Sequence, residues 1–189
     1  MGLFSTLFGR NKLKKPDREK FFSIITAEVS LSGRMDLRST HKAGIVFNPV
    51  ESSFFENLDS EIRSLLEVSE TATGTQFEVV DDTFGTRWAS LEDRDFEDLV
   101  STIHLISETV IEHGFAERLL AAVFGVQYEG RDAYWIYNYK RGRFYPMVIT
   151  APQTRDNAAE MRLSAVMEQE KIPVERSLEN WYSLWGIPF

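Results

Sequence analysis

Apolar side chains along the chain change their repeat several times, and each change marks an element. At the start they fall at Leu3, Phe4, Leu7 and Phe8, the spacing of one narrow helical face, followed by Gly9 and a basic run to Pro16. Phe21, Phe22, Ile24, Ile25, Val29 and Leu31 predict a helix over 17–31, at least through Ile25. Residues 33–42 are polar and read as a loop, and 43–48 as a short strand closed by Pro49. Ser53 with Glu56 has the spacing of a capping box, and Phe55, Leu58, Ile62, Leu65 and Leu66 continue it as a helix. Alternation over 76–80 and 86–91, around a turn at 81–85, predicts a hairpin. The clearest stripe is Phe96, Leu99, Val100, Ile103, Ile106 and Val110, a helix over 94–113 ended by Gly114.

Three strands then follow, at 119–128, 132–140 and 143–149, with turns too short for anything but an antiparallel meander. Residues 154–171 return to helical spacing with Thr154 as cap. The tail from Pro173 holds Trp181, Tyr182, Trp185 and Phe189, more aromatic surface than water tolerates cheaply, so it is expected to pack on the body. The pattern predicts an α+β fold. Helices cover one face of a mixed, mostly antiparallel sheet built from a hairpin and a three-stranded meander, with an N-terminal amphipathic helix. Residues 1–15 form a separate basic arm and 16–189 one domain.

Charge sharpens the picture at the N-terminus. The chain of 189 residues carries a net charge of −8. Residues 1–20 hold six Lys/Arg against Asp17 and Glu19 and sum to +4, which leaves −12 on the remainder. An acidic body argues against nucleic acid as a partner. A short apolar stretch with Arg10, Lys12, Lys14 and Lys15 behind it suits either an anionic membrane surface, with Leu3, Phe4, Leu7 and Phe8 lying in the headgroup boundary, or docking of that stripe on its own domain or on a partner. With no run of eighteen apolar residues, no spanning helix is expected. There is no cysteine, so disulfides and thiolate chemistry are excluded.

No catalytic set is evident. His41, His104 and His113 are not spaced to share a metal, and the pairs Asp81-Asp82 and Glu92-Asp93 sit where acids are normally solvated. Neither a nucleophile elbow nor a glycine-rich phosphate loop occurs, so no enzyme activity, metal or cofactor is expected. One stretch interleaves cations with aromatics: Tyr139, Lys140, Arg141, Arg143, Phe144 and Tyr145 around Gly142. It reads either as an ordinary hairpin with buried rings and solvated cations or as a partner-binding surface.

Four stretches taken together, MGLFSTLFGR, YKRGRFYP (139–146), RDNAAEMRL (155–163) and PVERSLENWYSLWGIP (173–188), resemble the PspA-associated family PspAB. Thr83-Phe84-Gly85 and Glu112-His113-Gly114-Phe115 extend the resemblance along the chain. It implies a non-enzymatic accessory of the phage-shock, membrane-stress response. Such a protein would sit in the cytoplasm against the inner face of the membrane. Its partners would be PspA, a membrane-remodelling coiled-coil protein, and in some cases an HtpX-type membrane protease. The resemblance implies no catalytic residues. A chaperone-like module that binds a client without touching the membrane is the alternative expectation.

Overall fold

A computed structural model describes residues 17–33 and 35–189. The expected N-terminal amphipathic helix, with Leu3, Phe4, Leu7, Phe8, Arg10, Lys12, Lys14 and Lys15, lies outside the described residues.

The order is α1 (Arg18–Ser32), β1 (Leu37–Phe47), α2 (Ser53–Thr73), β2 (Gln76–Asp81), β3 (Arg87–Glu92), α3 (Phe96–Glu112), β4 (Leu119–Tyr128), β5 (Arg131–Asn138), β6 (Arg143–Ala151), β7 (Thr154–Arg155) and α4 (Asn157–Gln169). The strands form one sheet in the order β2-β3-β1-β4-β5-β6-β7. Every neighbouring pair is antiparallel, so the expected mostly antiparallel sheet is found, and it is antiparallel throughout these seven strands. The single parallel element among the described residues is an isolated bridge, Phe144 to Val174.

Each helix begins on a side chain that accepts an orphan backbone N–H. Asp17 accepts from Lys20, Ser52 from Phe55, Asp95 from Glu97 and Asp156 from Ala159. Two expected caps move. The α2 cap is Ser52, whose extended backbone points its hydroxyl at the Phe55 amide 3.2 Å away, while Ser53 is already helical. The α4 cap is Asp156, because Thr154 and Arg155 are drawn into the edge of the sheet as β7. The expected loop at 37–42 is also corrected: these residues are the first half of β1 and pair with β4 through Leu37–Tyr128 and Arg38–Gln127. Their polarity hid them. The strand slips register between Ser39 and Ala43, where His41 takes φ 61° and stands in solvent.

Side chains alternate between the two faces of the sheet. One face carries Phe124, Trp135, Tyr137 and Phe144, and α1 and α3 lie on it. Phe21 of α1 meets Tyr137 and Phe144 with ring centres 4.9 and 6.0 Å apart, and Phe96 of α3 meets Phe124 at 5.8 Å. The other face carries Gly44, Trp88, Tyr134 and Tyr145, and among the described residues no α-helix packs there. The tail crosses it instead: Trp181 stacks beside Tyr145 at 6.3 Å, and Phe189 meets Trp88 and Tyr134, each at 6.4 Å. Gly44 leaves room for that crossing, since a Cβ there would come within 2.7 Å of the Phe189 ring.

The β6 edge of the sheet is closed group by group. Phe144 N–H donates to Pro173 O at 2.8 Å, and its carbonyl accepts from Glu175 N–H at 2.7 Å. Pro146 has no N–H, and its carbonyl faces Arg155 Nη2 at 3.5 Å. Val148 N–H donates to the Glu160 carboxylate at 2.9 Å, and its carbonyl accepts from Asp156 N–H at 2.8 Å. Arg155 and Glu160 form a buried ion pair here, with side chains 13% and 2% exposed and Nε to Oε1 at 2.7 Å.

Candidate functional site

The interleaved stretch forms the β5–β6 turn. Its rings are not on the surface: Tyr139, Phe144 and Tyr145 are 4%, 0% and 2% exposed. Phe144 faces the helices and the neighbouring Tyr145 faces the tail, so adjacent aromatics are both buried because both faces of the sheet are covered. Burial holds the Tyr139 and Tyr145 phenols well above their ordinary pKa, so both stay neutral. What the turn shows to solvent is its cations. Arg141 and Arg143 are exposed and Lys140 half-buried, with burial first and Arg141 second lowering the Lys140 pKa. Both arginines also hold the tail: Arg141 Nη2 donates to Asn180 Oδ1 at 2.9 Å, and Arg143 Nη1 to Val174 O at 3.3 Å.

The tail acts as a strap with two unequal halves. Its first half is hydrogen-bonded. Besides the arginine contacts, Tyr145 Oη donates to Tyr182 O at 3.0 Å, and Arg155 Nη1 donates to Trp181 O at 2.7 Å and Ser183 Oγ at 3.3 Å. Past Ser183 the contact is apolar, through Leu184, Ile187 and Phe189. Between strap and sheet lies a cavity of about 110 Å³ walled by Val46, Trp88, Leu120, Tyr145, Leu184 and Trp185. A dry apolar cavity of about 150 Å³ is known to take a benzene ring, and this one is smaller. Sequence reading missed it, because its walls come from five segments and only the Trp181–Trp185 spacing hinted at a buried face.

The β2–β3 turn closes one end of the cavity through Asp82, Phe84 and Thr86. Asp82, expected to be solvated, is instead the acceptor that builds the turn. It takes the Phe84 and Thr86 amides at 2.8 and 2.9 Å, the Thr86 hydroxyl, and Trp88 Nε1 at 3.2 Å. Burial alone would push its carboxyl up, but these four donors outweigh that and hold it below the usual carboxylate value. A lowered folded-state pKa means that the stabilisation is complete above about pH 4 and is lost as pH falls through the folded value. The expected result is that amide exchange at Phe84 and Thr86, taken relative to the intrinsic rate at each pH, accelerates on acidification below about pH 4 in the native chain. In Asp82→Asn it should start faster and change less with pH.

The histidines do not converge. His104 stacks against Phe21 and Phe22 at 5.7 and 5.1 Å, His113 Nε2 lies 3.0 Å from Glu61, and His41 stands apart on its bulge. Among the described residues no group of three or more His, Asp or Glu side chains is placed to hold a metal ion. None of the described helices is long and apolar enough to cross a membrane.

The model of one protein family, PspA associated protein B, matches residues 1–189, the whole chain. The chain belongs to the PspAB family. That membership gives an accessory role linked to PspA and names no catalytic centre. No curated protein and no solved structure matched the chain.

Proposed function

We propose that this PspAB protein is a non-enzymatic accessory of the phage-shock type of membrane-stress response, held at the inner face of the cytoplasmic membrane and binding PspA. The observation that carries the reading is the family match over the full length, which includes the basic, apolar arm. Leu3, Phe4, Leu7 and Phe8 form the membrane contact, and Arg10, Lys12, Lys14 and Lys15 add on the order of 1 kcal/mol each against anionic lipid. The acidic remainder is repelled by the same surface, so the arm is the part that meets lipid while the body faces a protein. The exposed Arg141 and Arg143, with Lys140, are the cations that the β5–β6 turn offers to a partner such as PspA or an HtpX-type protease.

Vesicle flotation tests the membrane half of this reading. The intact chain should float with anionic vesicles, less at high salt, and the double variant Leu7→Asp, Phe8→Asp should stay in solution. Equal flotation of both proteins removes the arm as the membrane contact. Flotation of neither moves the reading to a partner-binding module off the membrane.

A further inference from the structure

The two edges of the sheet are treated oppositely. The outward groups of Phe144, Pro146 and Val148 on β6 are occupied and β7 pairs beyond them, but β2, at the other end, has no neighbouring strand among the described residues. The β2–β3 ladder closes with Asp82 N–H donating to Thr86 O, and pairing runs in register from Asp81–Arg87 to Gln76–Glu92. In an antiparallel pair, residues that exchange hydrogen bonds alternate with residues that turn their backbone groups away. Val80, Glu78 and Gln76 therefore bond inward to β3, while Phe77, Val79 and Asp81 turn N–H and C=O outward. Among the described residues no backbone or side-chain group meets them. Of the devices that blunt an edge, β2 has no proline, no lysine and no slip in register; its charges are the two carboxylates Glu78 and Asp81.

The surroundings select what could pair there. Glu56, Asp59, Arg63, Glu67 and Glu70 recur on α2 at steps of three, four, four and three residues, so they line one flank of the helix. That flank lies over the open edge, because Asp59 reaches Arg87 Nη1 at 3.0 Å and Arg87 in turn binds Asp81 of β2 at 2.6 Å. The opposite flank turns to α3, where Glu61 meets His113. On the other face of the edge stands Glu78, exposed and without an ion pair among the described residues. A strand added to β2 would thus run with its side chains alternately under four carboxylates and one guanidinium on one side and beside Glu78 on the other. A second copy paired through β2 would bring two such acidic flanks together, which like-charge repulsion opposes.

We propose that the β2 edge is a docking site for an extended segment of another protein that carries Lys or Arg at alternating positions, added to the sheet as an eighth strand. Backbone bonds to Phe77, Val79 and Asp81 supply the pairing, and the α2 flank supplies the choice of a basic partner. This does not rest on the membrane reading, since the pairing groups belong to Phe77, Val79 and Asp81 of β2.

The test uses the full chain and a short synthetic peptide alternating lysine and valine, long enough to span β2, followed by fluorescence anisotropy and amide chemical shifts. The peptide is expected to bind, to shift the amides of Phe77, Val79 and Asp81, and to weaken steeply with salt. A glutamate–valine peptide should not bind. Val79→Pro removes an outward N–H without touching the ladder to β3 and should weaken binding about tenfold. The same peptide with alternate backbone nitrogens methylated should lose about as much against the unaltered protein, which holds even if the proline variant folds poorly. The proposal is overturned if the lysine peptide does not bind or if the methylated peptide binds as well as the parent. It is equally overturned if the acidic peptide competes equally, or if the chain forms a dimer that Val79→Pro abolishes.

Discussion

Replacing Arg155 with methionine is expected to cost about 3–5 kcal/mol of stability, the usual penalty for leaving one member of a buried ion pair without its partner. Glu160 is 2% exposed, and its carboxylate accepts both from Arg155 and from the Val148 amide. Without the guanidinium, a charge stays buried at the edge of the sheet. The loss reaches further than the pair, because Arg155 also donates to Trp181 O and Ser183 Oγ and so fastens the strap to β6. Urea denaturation measures the total, and the emission of Trp181 and Trp185 reports the strap. The double replacement Arg155→Met, Glu160→Leu should recover most of the loss, since two apolar side chains at that edge carry no stranded charge. A single variant within about 0.5 kcal/mol of the native chain, as for an ordinary surface change, would show that the edge is held by α4 packing alone.

Phe21→Ala is the second large effect, at about 3–5 kcal/mol for a phenylalanine removed from a close-packed interior. Phe21 is 0% exposed, and its ring meets those of Phe22, His104, Phe124, Tyr137 and Phe144. It is where α1 is welded to both α3 and the sheet. Phe21→Leu keeps most of the volume and should cost much less, under about 1.5 kcal/mol if the cluster repacks. Hydrogen exchange distinguishes a local from a global effect: amides of α1 should lose protection first, while those of β4 and β5 keep theirs. Uniform loss would mean that α1 and the sheet open as one unit.

What could be read from the chain followed local physics. The meander was legible because Glu129-Gly130 and Arg141-Gly142 mark turns between alternating runs, and α3 because its stripe is long and ends at Gly114, whose φ is 81°. The first half of β1 was not legible. Arg38, Ser39, Thr40, His41 and Lys42 carry no apolar alternation, and only pairing with β4 makes them a strand. The PspAB resemblance was carried by the hairpin and the tryptophan-rich tail, and the family match confirms it. The roles of those stretches were harder to see. Interleaving of cations and rings at 139–145 shows a strand period but not whether one face or both are covered, and here the strap covers the second. Arg155 was invisible as an anchor because its strap contacts lie 26 and 28 residues away along the chain.

The closed β6 edge has a consequence for how far assembly can go. A fibre grown by strand pairing needs every molecule to offer two free edges, one to accept the last arrival and one to receive the next. Among the described residues this sheet offers one. Proline, a side-chain carboxylate and the turn of chain at Pro173–Glu175 occupy the other. Strand addition at β2, as proposed above, would therefore stop after a single partner, which would make the molecule the end of a β-stack and not a link in its middle.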